Sequence, residues 1–329
     1  MKIVLGSRGS SLALAQAELA RALLLKVPGI EAVELQIIKT TGDRRLDLRL
    51  SDSGKKFERG LFTKELEESL VSGQINVAVH SLKDLPTELP EGLVVAAVLP
   101  REDPADVLIS REASSLSEIR PDGVIATSSP RRARQLQRLR PDLNVVDVRG
   151  NVPTRIDKLI RQSNWDGLIL ARAGLERLNL KIQEGRLQFG GRQLFASTLE
   201  AMLPAAGQGA IALETLEIAQ AVRNVLQSIN DPVTWFCVQA EREFLRLLGG
   251  GCEVPIGVRA RRSEPVRSGA PDDGGNSSAG GNPVGEQALL EAVVFEEDGS
   301  LRMGSVAGNF ASFELAAQAL FQKIYGNTR

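Results

Sequence analysis

Short segments of this 329-residue chain hold residues suited to two kinds of chemistry, proton transfer by a carboxylate and capture of a multiply charged anion. In AVHSLKDLP (78–86) an apolar strand runs out into His80, Lys83 and Asp84 just before Pro86. That placement carries Asp84 to the carboxyl edge of a sheet, where a catalytic acid is expected. The plainer alternative is a turn in which Asp84 caps its own backbone and pairs with Lys83. His80 reads as a packed residue hydrogen-bonded near the strand end, not as a proton carrier. In ATSSPRRARQLQ (126–137), Thr127, Ser128 and Ser129 precede a helix start that presents Arg131 and Arg132. In VVDVRGNVPTRIDKL (145–159), Arg149, Gly150, Asn151 and Arg155 open the next helix. Positive charge at a helix N-terminus opposes the helix dipole, so such clustering is unfavourable unless an anion neutralises it. Several carboxylates or phosphates, held bidentately, fit better than a solvated face. GSRGSSLALAQAE (6–18) places Arg8 and Ser10 at a strand-to-helix turn suited to an anion, although Ser10 or Ser11 could serve only as a helix cap. Cys252 follows three glycines in GGGCEVPIG (249–257), which predicts an uncrowded loop open to modification, whereas Cys237 in TWFCVQAE reads as a core residue.

Composition limits what surrounds these residues. With 40 Lys+Arg against 41 Asp+Glu, a net charge of −1 and a pI near 6.1, the chain has no electrostatic footprint for nucleic acid or an anionic membrane. One His and two Cys cannot make a disulfide framework or a four-ligand zinc site without carboxylates, and they point to a reducing compartment. Of the 40 basic residues 10 are Lys and therefore 30 are Arg. Genomic base composition or recognition of carboxylate and phosphate would each produce that excess, and position decides between them. No apolar run approaches the ~18 residues of a membrane span, and Met1-Lys2 leads into too short an apolar run for a targeting segment to be expected. Hydrophobic residues at 43% and charged ones at 25% are those of a globular protein of two or three domains.

The elements that must position these residues alternate. KIVLG, VELQIIKT, INVAVHSL and LVVAAVLP read as strands, and LALAQAELARALLLK and LFTKELEESLVSG as helices. The pattern restarts at VIATSS with the helices PRRARQLQRLR and VPTRIDKLIRQ and the strands NVVDVRG and WDGLILA. Two successive α/β units, each beginning with a strand that enters a Ser-rich turn, predict two similar domains facing a cleft. After about Thr215 come EIAQAVRNVLQSI and TWFCVQAEREFLRLL, then the strand ALLEAVVFEEDG and the helix FELAAQALFQKIYG, a third unit. The polar stretch 41–60 reads as a mobile loop, and the Gly/Ser/Pro/Asp-rich stretch 262–287 as a flexible insertion.

Taken in order, GSRGSSLALAQ, GLFTKELEESL, AVHSLKDLP, REDPADVLIS, ATSSPRRARQL, VVDVRGNVPTR, LPAAGQGAIALE and GGGCEVPIG closely resemble the porphobilinogen deaminase (hydroxymethylbilane synthase) family over nearly the whole chain. The resemblance implies stepwise condensation of four porphobilinogen molecules with loss of ammonia, on a dipyrromethane cofactor joined by a thioether to Cys252, then hydrolytic release of the linear tetrapyrrole. It implies Asp84 as the catalytic carboxylate, protonating the departing amine and stabilising the azafulvene-like intermediate. Lys83, Thr127, Ser128, Ser129, Arg131, Arg132, Arg149, Gly150 and Arg155 fall on cofactor-binding positions. Arg8, Ser10, Lys55 and Arg59 fall on substrate-binding ones, the last two in the mobile loop. Arg59 stands where many members have Lys, Pro130 where Leu is common and Glu253 where Gln is common.

The implied fold is α/β in three domains. The first two (1–99 with 200–216, and 100–199) are type II periplasmic-binding-protein-like around a cleft, and the third (217–329) is a small α+β domain carrying Cys252. No metal is implied. A cytoplasmic monomer is expected, whose partners are porphobilinogen and the growing polypyrrole chain, with a transient hand-over to uroporphyrinogen-III synthase. A two-domain cleft alone would serve a polycarboxylate-binding module equally well. A regulatory effector domain would need a helix-turn-helix or a basic segment, and neither is found.

Overall fold

Where β-branched and apolar residues alternate with turn signals the chain forms strands, and their order explains how two sheets come to share one cleft. A computed structural model describes residues 1–41, 63–249, 255–262 and 286–326. Lys55, Arg59 and Cys252, the expected mobile loop beyond Thr41 and nearly all of the expected insertion lie outside the described residues. The chain opens with β1 (Lys2–Ser7), β2 (Ala32–Ile37), β3 (Val77–Ser81) and β4 (Leu93–Val98). It crosses to β5 (Asp106–Ser110), β6 (Val124–Ala126), β7 (Asn144–Val146), β8 (Gly167–Ala171), β9 (Ile182–Gln183), β10 (Arg186–Phe189) and β11 (Arg192–Thr198). It returns as β12 (Ile211–Leu216) and finishes with β13 (Ile256–Arg262), β14 (Glu286–Phe295) and β15 (Leu301–Phe310).

The first sheet runs β2-β1-β3-β12-β4, with β1, β2 and β3 parallel and β12 antiparallel to both of its neighbours. The second runs β7-β6-β8-β5-β11-β10-β9, with β6, β7 and β8 parallel and β5 antiparallel to β8 and β11. Each crossing of the chain thus ends in a strand inserted antiparallel into the other sheet. These two crossings, 99–105 and 199–210, run side by side: Glu102 N donates to Gly209 O at 3.1 Å and Leu99 N to Ile211 O at 3.0 Å. Gly209 has φ +86, and a Cβ there would meet the Glu102 carbonyl oxygen, so glycine is required at this close approach.

Each unit has its own core. Ile3, Leu5, Val77 and Leu213 pack under the Ser11–Leu24 helix through Ala17, Ala20 and Leu24. Val107, Leu168 and Leu170 pack against Ile156 and Leu159 of the Val152–Arg161 helix. The third sheet, β13-β14-β15, is antiparallel and lies under the Pro232–Leu247 and Phe313–Tyr325 helices, with Phe244, Leu290, Val258 and Leu320 fully buried between them. Burying a side chain of the size of Phe244 contributes about 1.5–3 kcal/mol. Cys237 is buried in this core, as its helical neighbours predict.

The α/β class, the two strand-turn-helix units and the third α+β unit agree with the sequence. The antiparallel run β9-β10-β11 and strand β15 are additions that the hydrophobic pattern does not single out. In β15 the sheltered positions include Arg302 and Gly304 while Leu301 and Met303 are exposed, so hydrophobicity does not follow the alternation of burial.

Candidate active site

Strand β3 ends at Ser81 and passes into one turn of 3-10 helix, Leu82–Asp84. Leu82 N donates to Ala210 O at 3.1 Å, tying this turn to the second crossing, and Leu82 itself is buried. The consequence is that Lys83 and Asp84 leave the sheet edge side by side, with Asp84 exposed and Lys83 partly buried. Behind them His80 is buried, and its Nε2 lies 3.0 Å from Glu214 Oε2 across the β3–β12 pair. His80 is therefore a packed, partnered residue.

Arg8 and Ser10 stand at the turn from β1 into the Ser11–Leu24 helix. Ser10 Oγ accepts from Ala13 N at 3.3 Å, so it does cap the helix. It also faces a cavity of about 70 Å³ lined by Arg8, Gln16, Thr63, His80, Ser81 and Asp84. A second cavity, of about 90 Å³, shares Gln16 and Ser81 with the first and continues towards the second sheet. Its wall carries Lys83, Arg132, Arg155 and Arg177, and among the described residues no Asp or Glu lines it.

The second unit supplies the opposite wall through two helix starts. Ser129 Oγ caps the Pro130–Leu139 helix by accepting from Arg132 N at 3.4 Å, with Pro130 in the first turn, where its missing N–H is harmless. Ser128 Oγ donates to Val148 O at 2.6 Å and accepts from Val148 N at 2.9 Å, which locks the β6 turn to the β7 turn. Thr127 is buried, and its Oγ1 accepts from Ser129 N at 3.2 Å. Asn151 caps the Val152–Arg161 helix, and Arg155 Nε reaches back to Gly150 O at 2.7 Å. Lys158 Nζ donates to Arg149 O at 3.0 Å.

Arg131 and Arg132 have a partner that local sequence does not reveal. Asp106, fully buried at the start of β5, accepts from Arg131 Nη1 at 2.6 Å and from Arg132 Nε and Nη2 at 3.0 and 2.8 Å. Burial by itself would raise the Asp106 pKa. The two guanidinium groups outweigh it and hold the carboxyl well below the usual carboxylate range. An internal anion therefore offsets one of the two positive charges these helix-start arginines bring, and the need for an external anion falls on the charge left over and on the other cations of the cleft. Burial, with Arg132 adding and Asp84 opposing, brings Lys83 down to about 8. Burial, with Arg132 and Arg149 adding, brings Arg155 down to about 10. Like charges in one partly dry cleft shift in this direction when counter-charge is short.

Three residues around the cleft are not singled out by sequence reasoning: Asp106, although it lies in REDPADVLIS, Gln208, although it lies in LPAAGQGAIALE, and Arg177. Arg177 ends the short Arg172–Arg177 helix, and its Nη2 donates to Gly209 O at 2.6 Å. It marks no helix start, so the pattern that singles out the other arginines passes it over. Among the described residues no cluster of His, Cys, Asp and Glu could hold a metal ion.

Comparison with known proteins agrees with these motifs. Residues 3–224 match the family model "Porphobilinogen deaminase, dipyromethane cofactor binding domain", and residues 235–266 match "Porphobilinogen deaminase, C-terminal domain". The chain is 47% identical over 260 residues to the porphobilinogen deaminase of Chlorobium phaeobacteroides (strain BS1), covering 79% of each chain. It is 43% identical over 303 residues to that of Rubrobacter xylanophilus, covering 92% of this chain and 87% of the relative. Among solved structures, the methionine binding protein MetQ aligns with a TM-score of 0.41 at 14% identity, over 71% of this chain and 92% of that one.

Proposed function

The chain belongs to the porphobilinogen deaminase family, and from that membership we propose how its own residues carry the activity. The activity is that of a hydroxymethylbilane synthase, a transferase of tetrapyrrole biosynthesis that joins four porphobilinogen molecules with loss of ammonia on a dipyrromethane cofactor. The observation that carries the assignment of roles is the cavity with Lys83, Arg132, Arg155 and Arg177 on its wall and, among the described residues, no acidic one. Such a lining fits a cofactor and a substrate that each bear several carboxylates, because bidentate guanidinium pairing neutralises them and fixes their planes.

Bound there, dipyrromethane would supply the pyrrole carbon that primes the chain. Lys83, Arg149 and Arg155 are proposed to hold its carboxylates, and the Arg131–Asp106–Arg132 cluster to give a fixed cationic edge. Thr127, Ser128, Ser129 and Gly150 are proposed to shape the two helix starts that flank the ligand. Arg8 and Ser10, beside Asp84 on the neighbouring cavity, are proposed to orient the incoming porphobilinogen. The Asp84 carboxylate holds the proton at the aminomethyl nitrogen as ammonia departs and then faces the positive charge left on the substrate. Cys252 is proposed as the attachment point, and Lys55 and Arg59 as further substrate contacts.

The division 1–99 with 200–216, 100–199 and 217–329 is likewise our proposal, as are a cytoplasmic monomer and hand-over of product to uroporphyrinogen-III synthase. Among the described residues no helix is long and apolar enough to cross a membrane. The test is intact-protein mass measurement on material from cells that make porphobilinogen, followed by an assay of ammonia release. A modified chain whose added mass maps to Cys252, and which consumes porphobilinogen, is expected. An unmodified chain with an alkylatable Cys252 would overturn the attachment site.

A further inference from the structure

Gln208 sits in the second crossing, between Gly207 and Gly209, and is buried. Its side chain touches both halves of the cleft. Nε2 donates to Pro104 O at 2.7 Å and to Asp106 Oδ1 at 2.8 Å, while Oε1 accepts from Lys83 Nζ at 3.3 Å. The backbone is held as well, since Arg101 Nε donates to Gln208 O at 2.9 Å. Pro104 O and ionised Asp106 can only accept, so the amide has a single orientation and its oxygen must face Lys83. Glutamine therefore makes a neutral bridge between the carboxylate that holds Arg131 and Arg132 and the ammonium next to Asp84.

Resting on the deaminase reading above, we propose that Gln208 is a positioning residue of the elongation reaction, fixing the Lys83 ammonium beside Asp84 in register with the Arg131–Asp106–Arg132 cluster across the cleft. A carboxylate at this position would face Asp106 and draw Lys83 into an ion pair. An apolar side chain would take this partner from Lys83 Nζ and from Pro104 O and leave Asp106 Oδ1 with its two Arg132 donors only. The amide alone satisfies both and leaves the ammonium directed by geometry, available to a carboxylate entering the cavity. The charged groups that act on Lys83 are Arg132 and Arg131, which disfavour its charge, and Asp84 and Asp106, which favour it. Replacing the bridge therefore shifts that balance in a direction set by the substituent.

The test compares wild-type holoenzyme with Gln208→Leu and Gln208→Glu, cofactor attached. The pH dependence of Lys83 acetylation by acetic anhydride, read by peptide mass spectrometry, reports the lysine without reference to turnover. Gln208→Glu should raise the Lys83 midpoint and Gln208→Leu should lower it, each by at least half a pH unit. Steady-state assays should show kcat reduced at least tenfold in Gln208→Leu with KM changed less than threefold. The midpoints report the contact with Lys83, and a fall in kcat with KM nearly kept is what separates positioning from a merely structural role. If Gln208→Leu does not fold, Gln208→Glu decides, by a raised midpoint accompanied by a kcat reduced at least threefold with KM changed less than threefold. A Lys83 midpoint that stays at the wild-type value in the folded variants, or unchanged kcat in both, overturns the proposal. A wild-type holoenzyme that releases no ammonia from porphobilinogen would instead overturn the deaminase reading, which the acetylation measurement does not touch.

Discussion

Arg101 and Glu241 form a bidentate ion pair, with Nη1 to Oε1 at 2.7 Å and Nη2 to Oε2 at 3.0 Å, at the point where the three units of the protein meet. Glu241 is fully buried in the Pro232–Leu247 helix and also accepts from Gly207 N at 2.7 Å and Ala260 N at 2.8 Å. One carboxylate thereby gathers the first crossing, the second crossing and a strand of the third sheet. Its lone pairs are well supplied with donors, the condition under which a buried charge is tolerated.

Removing one partner of such a pair leaves the other charge buried and unpaired, which costs roughly 3–5 kcal/mol. Glu241→Gln should therefore lower the melting temperature by roughly 4–7 °C, and because the pair spans units the loss should appear in the main transition of a calorimetric scan. A melting temperature within a couple of degrees of wild type would show that the junction does not depend on this charge.

Asp106 predicts a pH signature. Its pKa in the folded protein lies below the unfolded value near 4, so the stabilisation it gives is complete above that value and is lost as pH falls through the depressed folded value. Asp106→Asn should be markedly less stable than wild type between pH 5 and 8, with the gap narrowing below about pH 4. Thermal melts of both proteins from pH 3 to 7 check this. A gap that widens on acidification would refute the assignment of charge.

The elements that carry Asp84 and the two arginine clusters were legible because their signals are local. The VAV run before His80, Pro86 after Asp84, Pro130 in a first helical turn and Asn151 before Val152 each mark a boundary within a few residues. Asp106 lies 25 residues from Arg131, and Gln208 lies 125 from Lys83, so no periodicity connects them. Their pairing exists only once the crossings place β5 and β12 in opposite sheets. The hairpin of β10 and β11 is a different case. Gly190 and Gly191, at φ +57 and +75, are a two-residue turn signal present in the sequence, and RLQF before them alternates polar and apolar, but over four residues only, and RQLFAST breaks the period with Leu194, Phe195 and Ala196 in a row.

Lys83 gives a second titration of opposite form. Its folded pKa of about 8 lies below the value of about 10.4 for a free lysine, so holding it charged in the cleft is unfavourable below pH 8, and this cost fades as pH rises between the two values. Lys83→Met should be more stable than wild type at pH 7, and the advantage should shrink from pH 8 towards pH 10. Chemical denaturation across that range measures it. An advantage that holds constant to pH 10 would mean that Lys83 titrates normally.

Asp84 and Arg155 separate chemistry from binding. Asp84 opposes the lowering of both the Lys83 and the Arg155 pKa, so its carboxylate lies within electrostatic reach of both, yet neither is its hydrogen-bond partner among those described. Asp84→Asn keeps shape and removes charge and proton capacity. Turnover should fall at least about a hundredfold, in line with loss of a general acid, while the cofactor stays attached by intact mass. Arg155→Leu should instead disturb loading or elongation, visible as a changed distribution of intermediates carrying successive substrate units, because a carboxylate would lose its guanidinium and be left desolvated. Wild-type turnover in Asp84→Asn would remove that residue from the mechanism. An unaltered distribution of intermediates in Arg155→Leu would place the polycarboxylate elsewhere in the cleft.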